Sequence, residues 1–226
     1  GERPPHENTA AHGRPLRVGY VGGDFKSHSA AYIFGAVLFF HDRTKVEPII
    51  YCSMPVDPKL DPMTKKFTEK ITLKDISALT DEQADKLIRE DKIDILVDLA
   101  AHTNGGRLDI FVRKPAPVQV TAWGFAHGSG LLEMDYFFAD PIAVPEAERE
   151  FYTEKIWDLP CIVTYAFPAD YDLKPASPLP FRRNGYVTFG AFARFEKFSD
   201  DCLRTYAEIL CAVPDSKILF KDQAFR

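Results

Sequence analysis

Three short glycine-rich stretches carry the side chains of this sequence that are best suited to chemistry. The first, GGDFKSH, holds Asp24 and His28 four positions apart. A histidine that titrates near neutral pH can donate to an anionic or sugar oxygen, and a nearby carboxylate can act as a base or as its electrostatic partner. The alternative is structural, with Asp24 capping the next helix and His28 exposed in its first turn. The pair therefore indicates either a ligand site or a helix start.

The second and third stretches have the same polar character. The second, AHTNGG, contains His102, Thr103 and Asn104. These side chains either face a ligand or, through Thr103 or Asn104, cap the following helix. The third, GFAHGSG, has few side chains that would keep a ligand away from the backbone, while His127 and Ser129 add hydrogen-bond donors.

A fourth polar stretch, FARFEKF, contains Arg194, Glu196 and Lys197. Basic side chains just past a strand and ahead of a helix N-terminus suit a diphosphate. The alternative is that these are solvated loop charges without a ligand.

The composition narrows the classes of cofactor and partner that we expect. The net charge of −5 gives no indication of nucleic acid, and the longest apolar run, residues 30–40, is too short to span a bilayer. The GYVGG stretch lacks the GxGxxG spacing of a dinucleotide site, and the histidines lack metal-site spacing, so we expect neither a nicotinamide cofactor nor a metal. The cysteine spacing indicates four free thiols in a reducing compartment, the cytoplasm.

Short apolar strands that alternate with helical stretches must position these polar residues. The alternation predicts an α/β fold with a parallel sheet and helices on both faces. In such a sheet the loops after the strands lie at one edge, where ligands bind. We predict strands at 17–21, 47–51, 93–99, 119–123, 136–139 and 155–159, and helices at 30–40, 81–90 and 106–112, the second of them with a capping box at Thr80 and Gln83.

Two changes in composition indicate the domain organisation. The first fifteen residues are polar and proline-rich, which is typical of a linker. Residues 166–185 carry four prolines and form a second predicted linker. The pattern then restarts with a strand at 186–192, a helix at 200–213 and a strand at 217–220. One βαβ unit buries too little to fold alone, so either it packs onto the first domain or the chain is a fragment of a longer protein with a second α/β domain, and we favour the fragment.

Four longer segments resemble the nucleotide-sugar glycosyltransferases of the O-GlcNAc transferase type and their SPINDLY-like relatives. They cover about residues 16–221, and the RKPAPVQ run followed by the glycine loop and MDY is the most distinctive part. The segments are RVGYVGGDFKSHS, DILVDLAAHTNGGRLDIFVRKPAPVQVTAWGFAHGSGLLEMDYFFADPIAVP, YTEKIWDLP and VTFGAFARFEKFSDDCLRTYAEILCAVPDSKILFK.

The resemblance implies a GT-B enzyme. Residues 16–180 would form its N-terminal Rossmann-like domain with a parallel sheet. Residues 184–226 would be the first βαβ unit of a second Rossmann-like, nucleotide-binding domain, and residues 1–15 would follow upstream tetratricopeptide repeats. The stretch that binds uridine in the family is not in this sequence, so we expect weak nucleotide binding and little turnover from these residues alone.

The resemblance also implies roles for individual residues. Asp24 and His28 match the acid and the histidine that line the sugar and the reaction centre, and Lys197 matches the lysine that holds the diphosphate. The trio that faces the acceptor peptide is matched by His102, Thr103 and Asn104. The stretch beside the donor sugar is matched by Gly124, Phe125 and Ala126.

The implied reaction is an inverting transfer of GlcNAc from UDP-GlcNAc to Ser or Thr hydroxyls of an acceptor protein, without a metal or other cofactor. Asp24 is the carboxylate available as a base, and the base itself stays open. Ala193 and Arg194 stand where the family usually carries amides, which puts the donor in doubt. The alternatives are therefore a transferase that uses GDP-fucose or UDP-glucose, or a non-catalytic module that binds peptides or partner proteins.

Overall fold

The computed structural model describes residues 4–8, 13–165 and 174–222 of the chain. The chain divides into two compact units, residues 1–169 and residues 170–226. In the described ranges no helix is both long enough and apolar enough to cross a bilayer.

The first unit is built on a seven-stranded sheet in which every neighbouring pair of strands is parallel. Its strand order is β3-β2-β1-β4-β5-β6-β7. The strands are β1 (Leu16–Gly22), β2 (Val46–Cys52), β3 (Thr72–Asp75), β4 (Ile95–Asp98), β5 (Val118–Thr121), β6 (Tyr136–Ala139) and β7 (Lys155–Asp158). The helices are α1 (Ser29–Phe39), α2 (Pro62–Lys70), α3 (Asp81–Glu90) and α4 (Leu108–Val112), and a 3₁₀ helix spans Glu146–Phe151.

Helices cover both faces of this sheet, because β1 is apolar on both sides. Tyr20 belongs to a buried cluster that includes Phe34 of α1 and Phe67 of α2. Its chain neighbour Val21 points to the opposite cluster, which includes Ile88 of α3. Successive strand residues point to opposite faces, so an apolar run is typical of a strand buried on both sides. The predicted α/β class with a parallel sheet is confirmed.

The strands and helices predicted for the first unit are present, with ends that differ by a few residues. Two elements were not predicted from the sequence: β3, the edge strand of the sheet beyond β2, and α2, which precedes it. Their sequences explain the omission, since TLKD is short and polar and PMTKKFTEK has a low mean hydropathy. The helix Pro62–Lys70 nevertheless begins with a strong signal, because Asp61 is its N-cap and Pro62 its first residue.

The second unit contains a parallel pair of strands joined through a helix. The strands are β8 (Thr188–Ala191) and β9 (Lys217–Phe220), and the helix between them is α6 (Asp200–Ala212), as the pattern predicted. The short helix α5 (Pro180–Asn184) lies inside the stretch predicted as a linker, which is a correction. It begins at Pro180 and ends on Gly185 with a positive φ of 75°, the usual pairing of helix-start and helix-end residues. Residues 166–173 of that linker lie outside the described ranges.

The described part of the first fifteen residues is bonded to the segment just before β4. The Asn8 side-chain amide donates to the carbonyls of Lys92 and Ile93 and to Asp94. Arg14 forms an ion pair with Asp94 at 2.7 Å, and the Arg17 backbone N–H donates to the same carboxylate. These bonds lower the pKa of Asp94 to about 2 although burial opposes the shift. This carboxylate therefore ties residues before β1 to the start of β4.

Candidate functional site

The three glycine-rich loops meet at one edge of the sheet. β4 lies between β1 and β5, and Val21, Asp98 and Thr121 are aligned in register, so the three strands end at the same level. A Cβ added at Gly23 would lie 3.4 Å from the Gly105 Cα, so the loops after β1 and β4 touch. The predicted convergence at the carboxyl edge is confirmed for these loops.

His28 is the N-cap of α1, the position that the structural alternative gave to Asp24. The His28 Nδ1 accepts from the Ala30 backbone N–H at 3.3 Å and lies 3.4 Å from Asp24 Oδ2. One nitrogen serves only one of these partners at a time. With its lone pair free, Nδ1 caps the helix, and when protonated it donates to Asp24. The cap of α1 and the contact with Asp24 therefore exclude each other, because both use His28 Nδ1.

A buried ring and a half-buried carboxylate hold the loop that carries this pair. The Phe25 ring is fully buried and packs edge-on against Phe34 and Phe67. Asp61 accepts from the Ser27 backbone N–H with both carboxylate oxygens while it caps α2. Burial opposes ionisation of Asp61, yet the bonds from Thr64 and Ser27 lower its pKa. The sequence analysis did not assign this role to Asp61, although the Asp-Pro pair that opens α2 was a usable signal.

A buried carboxylate shapes the loop after β4. Asp98 is fully buried and accepts from the backbone N–H groups of Ala100 and Ala101 at 3.0–3.1 Å. Burial raises the pKa of Asp98 to about 6, although these bonds and Thr121 act in the opposite direction. Ala101 adopts a φ of 43°, a left-handed conformation that is unusual for a residue with a side chain. Asp98 was missed by the sequence analysis, although a charge within a buried strand was a visible signal.

The side chains that follow Asp98 do not cap a helix. The Thr103 hydroxyl donates to the Ala100 carbonyl at 2.6 Å, and α4 starts only at Leu108, without a side-chain cap on Arg107. The alternative that Thr103 or Asn104 caps the following helix is therefore wrong. With His102 they form an exposed row.

The loops after β4 and β5 are in direct contact. The His102 ring stands edge-on to the Phe125 ring with 5.7 Å between centroids, and His102 Nε2 lies 2.8 Å from the Ser129 carbonyl oxygen. A Cβ at Gly124 would lie 1.6 Å from the Leu99 carbonyl oxygen, so only glycine fits there. Two residues predicted to face different substrates, His102 and Phe125, are thus adjacent.

In the third loop, Ala126 and His127 are accessible to a ligand, whereas Ser129 is buried. Ala126 and His127 are exposed. Ser129 is buried, and its hydroxyl and backbone N–H both donate to Glu154 Oε1, at 2.6 and 2.5 Å. The prediction that Ser129 offers a donor to a ligand is therefore wrong, because its donors are used inside the protein. Glu154 was missed, and no local pattern links it to a loop 25 residues earlier.

Arg194 and Lys197 lie in the second unit, between β8 and α6, where the sequence placed them. The Lys197 backbone N–H donates to the Arg194 carbonyl in the short 3₁₀ turn Phe195–Lys197, and both side chains are exposed. The helix α6 that follows is capped by Ser199.

Metal-binding side chains are not grouped in the described residues. Across 4–8, 13–165 and 174–222, no three His, Cys, Asp or Glu side chains are arranged to hold a metal ion.

Comparisons with known proteins connect this geometry to a family. Residues 3–166 match the profile of glycosyl transferase family 41. A probable UDP-N-acetylglucosamine–peptide N-acetylglucosaminyltransferase of Arabidopsis thaliana, SPINDLY, is 37% identical over 218 residues, 94% of this chain and 23% of that protein. A second Arabidopsis protein whose name states the same probable activity, SEC, is 30% identical over 213 residues, 90% of this chain and 21% of that protein. The chain thus spans less than a quarter of the length of these curated relatives.

A solved structure gives the same result for the fold. A mutant O-GlcNAc transferase of Thermobaculum terrenum superposes with a TM-score of 0.83 and 34% identity, over 92% of this chain and 39% of that chain. The likeness confirms the predicted fold class, a Rossmann-like half of a GT-B enzyme followed by the start of a second α/β unit. The resemblance seen in the sequence motifs is confirmed as well, and the chain belongs to glycosyl transferase family 41.

Proposed function

We propose that this protein is an inverting glycosyltransferase that moves GlcNAc from UDP-GlcNAc to Ser or Thr hydroxyls of acceptor proteins. One observation carries the proposal: three polar loops of a family 41 chain meet at the carboxyl edge of β1, β4 and β5. Ligands bind at this edge in open α/β sheets. The relatives named above carry the corresponding activity in their names.

In the proposed reaction the acceptor hydroxyl oxygen bonds to the anomeric carbon as the bond from that carbon to the diphosphate breaks. Lys197 offsets the charge that develops on the departing diphosphate, which is why the reaction needs no metal. His28 donates to the sugar-phosphate oxygens, and Asp24, 3.4 Å from the His28 ring, is the carboxylate available to the hydroxyl proton.

The other predicted residues bind the two substrates. In this proposal the row formed by His102, Thr103 and Asn104 faces the acceptor. The donor sugar lies against Gly124, Phe125 and Ala126, where the absence of a side chain on Gly124 exposes the backbone. Arg194 adds a positive charge near the nucleotide.

We place the activity in the cytoplasm. The four cysteines of the chain are free, and Cys52 is buried. Free thiols persist in reducing compartments.

Calorimetric titration of the longest natural form of the protein that contains these residues tests the proposal. Wild type should bind UDP and UDP-GlcNAc, and Lys197→Ala should lose that binding. Lys217→Ala is the matched control, because Lys217 begins β9 at the opposite end of the two-stranded sheet. Preferential binding of GDP would assign another donor. Retained peptide binding without any nucleotide binding would replace the enzyme by a binding module.

A further inference from the structure

A chain of hydrogen bonds, buried at its Glu154 end, connects the start of β7 to the predicted acceptor site. Glu154 Oε1 accepts from both donors of Ser129, the backbone N–H at 2.5 Å and the hydroxyl at 2.6 Å. The carbonyl of the same Ser129 lies 2.8 Å from His102 Nε2. A carboxylate that is 4% exposed is thus connected through one residue to an exposed imidazole.

The last contact fixes the tautomer of the neutral imidazole. A carbonyl oxygen only accepts hydrogen bonds, so the His102 Nε2 must carry the proton. In the neutral ring the lone pair then resides on Nδ1, since the bond made by one ring nitrogen sets the state of the other. Nδ1 is therefore the only ring nitrogen of neutral His102 that can accept a proton or a hydrogen bond from a substrate.

The Glu154 carboxylate is closely packed. The Thr153 hydroxyl donates to Glu154 Oε2 at 3.0 Å. A Cβ at Gly128 would lie 2.5 Å from the same oxygen, so the carboxylate fills the space that a side chain at this position would need. Without the carboxylate, two buried donors of Ser129 would lack their acceptor, and the loop would rearrange to satisfy them.

We propose that Glu154 is a positioning residue, which through Ser129 fixes the orientation and tautomer of His102 toward the acceptor hydroxyl. The inference rests on the proposed function for its consequence in catalysis. Its structural part, the state of the His102 ring, does not depend on any transferase activity.

Nuclear magnetic resonance of the 226-residue chain tests the structural part. Long-range ¹H–¹⁵N spectra of the histidine rings report which nitrogen carries the proton. Wild type should show His102 with its proton on Nε2, and Glu154→Gln should retain that signature because its amide oxygen still accepts from Ser129. Glu154→Ala should give a mixture of the two tautomers. An unchanged His102 ring in a folded Glu154→Ala would overturn the proposal.

Steady-state kinetics of the longest natural form tests the consequence. A misplacement of about 1 Å can cost on the order of 100-fold in rate. We therefore expect Glu154→Ala to lower kcat/KM for an acceptor peptide by about 10- to 100-fold and to raise KM for the nucleotide sugar by a smaller factor, because the same loop also carries Gly124. Glu154→Gln should restore most of the loss. Glu150→Ala, an exposed glutamate of the preceding 3₁₀ helix, is the matched control and should behave as wild type.

Two outcomes separate the inference from the proposed function. Equal losses for both substrates, without rescue by Gln, would make Glu154 merely structural. A wild type with no transfer activity but with the expected His102 tautomers would refute the proposed function and leave the positioning chain intact. Should Glu154→Ala fail to fold, Ser129→Ala removes one of the two donors and keeps the other. It should then show an intermediate tautomer mixture, and a wild-type His102 ring in that variant would overturn the proposal.

Discussion

Replacing Asp98 with Asn should remove a pH dependence from the stability of the first unit. Burial raises the pKa of this carboxyl from 3.8 to about 6. Between these values the folded chain holds a proton that the unfolded chain has released, so stability falls as the pH rises. The stabilising contribution of the protonated carboxyl is fully present below about pH 3.8 and is lost as the pH rises through about 6.

The size of the effect follows from the pKa difference and from the contacts. Each pKa unit corresponds to about 1.36 kcal/mol, so the rise from 3.8 to about 6 corresponds to about 3 kcal/mol. In Asp98→Asn the amide oxygen can still accept from Ala100 and Ala101, and the amide N–H can donate to the Thr121 hydroxyl, which lies 3.5 Å from Oδ2 in the wild type. The free energy of unfolding of the variant relative to wild type should therefore rise by about 2 to 3 kcal/mol between pH 4 and pH 7.

Urea unfolding followed by tryptophan fluorescence measures this difference. Both tryptophans, Trp123 and Trp157, lie in the first unit, so the signal reports that unit. Carboxylates shared by the two proteins cancel when the curves are subtracted. Asp109→Asn, at an exposed position in α4, is the matched control for replacing a carboxylate by an amide. If the difference in free energy of unfolding between Asp98→Asn and wild type stayed constant or fell as the pH rose, the conclusion that burial raises the pKa of Asp98 would be refuted.

Three further substitutions test single contacts. His28→Ala should lower the free energy of unfolding by the ~1 kcal/mol typical of a lost helix cap and should lower the transfer rate far more. His28→Asn should restore the melting temperature but not the transfer rate. Equal relative losses of stability and of transfer in His28→Ala would make the residue structural. Gly124→Ala should destabilise by at least about 3 kcal/mol in circular dichroism melts, while Gly190→Ala, with its nearest neighbour 3.4 Å away, should be tolerated. Arg14→Ala should lower the urea midpoint slightly through loss of its pair with Asp94, and an unchanged midpoint would show that the pair is neutral.

The parts of the site that were predictable from the sequence are those encoded in local patterns. Apolar runs gave the strands, and glycine-rich polar stretches after them gave the loops that meet at the sheet edge. The order of the strands places β4 between β1 and β5, which brings the loop of His102 beside that of Phe125. The pattern also predicted the capping box of α3, where Thr80 and Gln83 exchange hydrogen bonds.

The parts that were not predictable depend on contacts between distant residues. Glu154 reaches Ser129 across 25 positions, and Asp61 reaches Ser27 across 34 positions. The sequence shows that Ser129 has donors, but only the fold shows that a buried carboxylate takes them. The choice between Asp24 and His28 as the helix cap likewise depends on the backbone path after β1, since either residue type can accept a bond from a helix N-terminus.

Both loops that meet at the contact between His102 and Phe125 contain a strained backbone residue, which indicates that the fold holds these loops in specific positions. Ala101 after β4 and Trp123 after β5 both adopt a positive φ, of 43° and 56°. A left-handed conformation costs a residue with a side chain about 1–2 kcal/mol, and specific contacts offset that cost. Asp98 accepts from the Ala101 N–H, and the Trp123 indole donates to the Ile162 carbonyl at 3.1 Å. Each net hydrogen bond contributes about 1 kcal/mol, so strain and restraint are of similar size. The fold thus stabilises otherwise unfavourable backbone conformations at the two loops where His102 and Gly124 must be held in place.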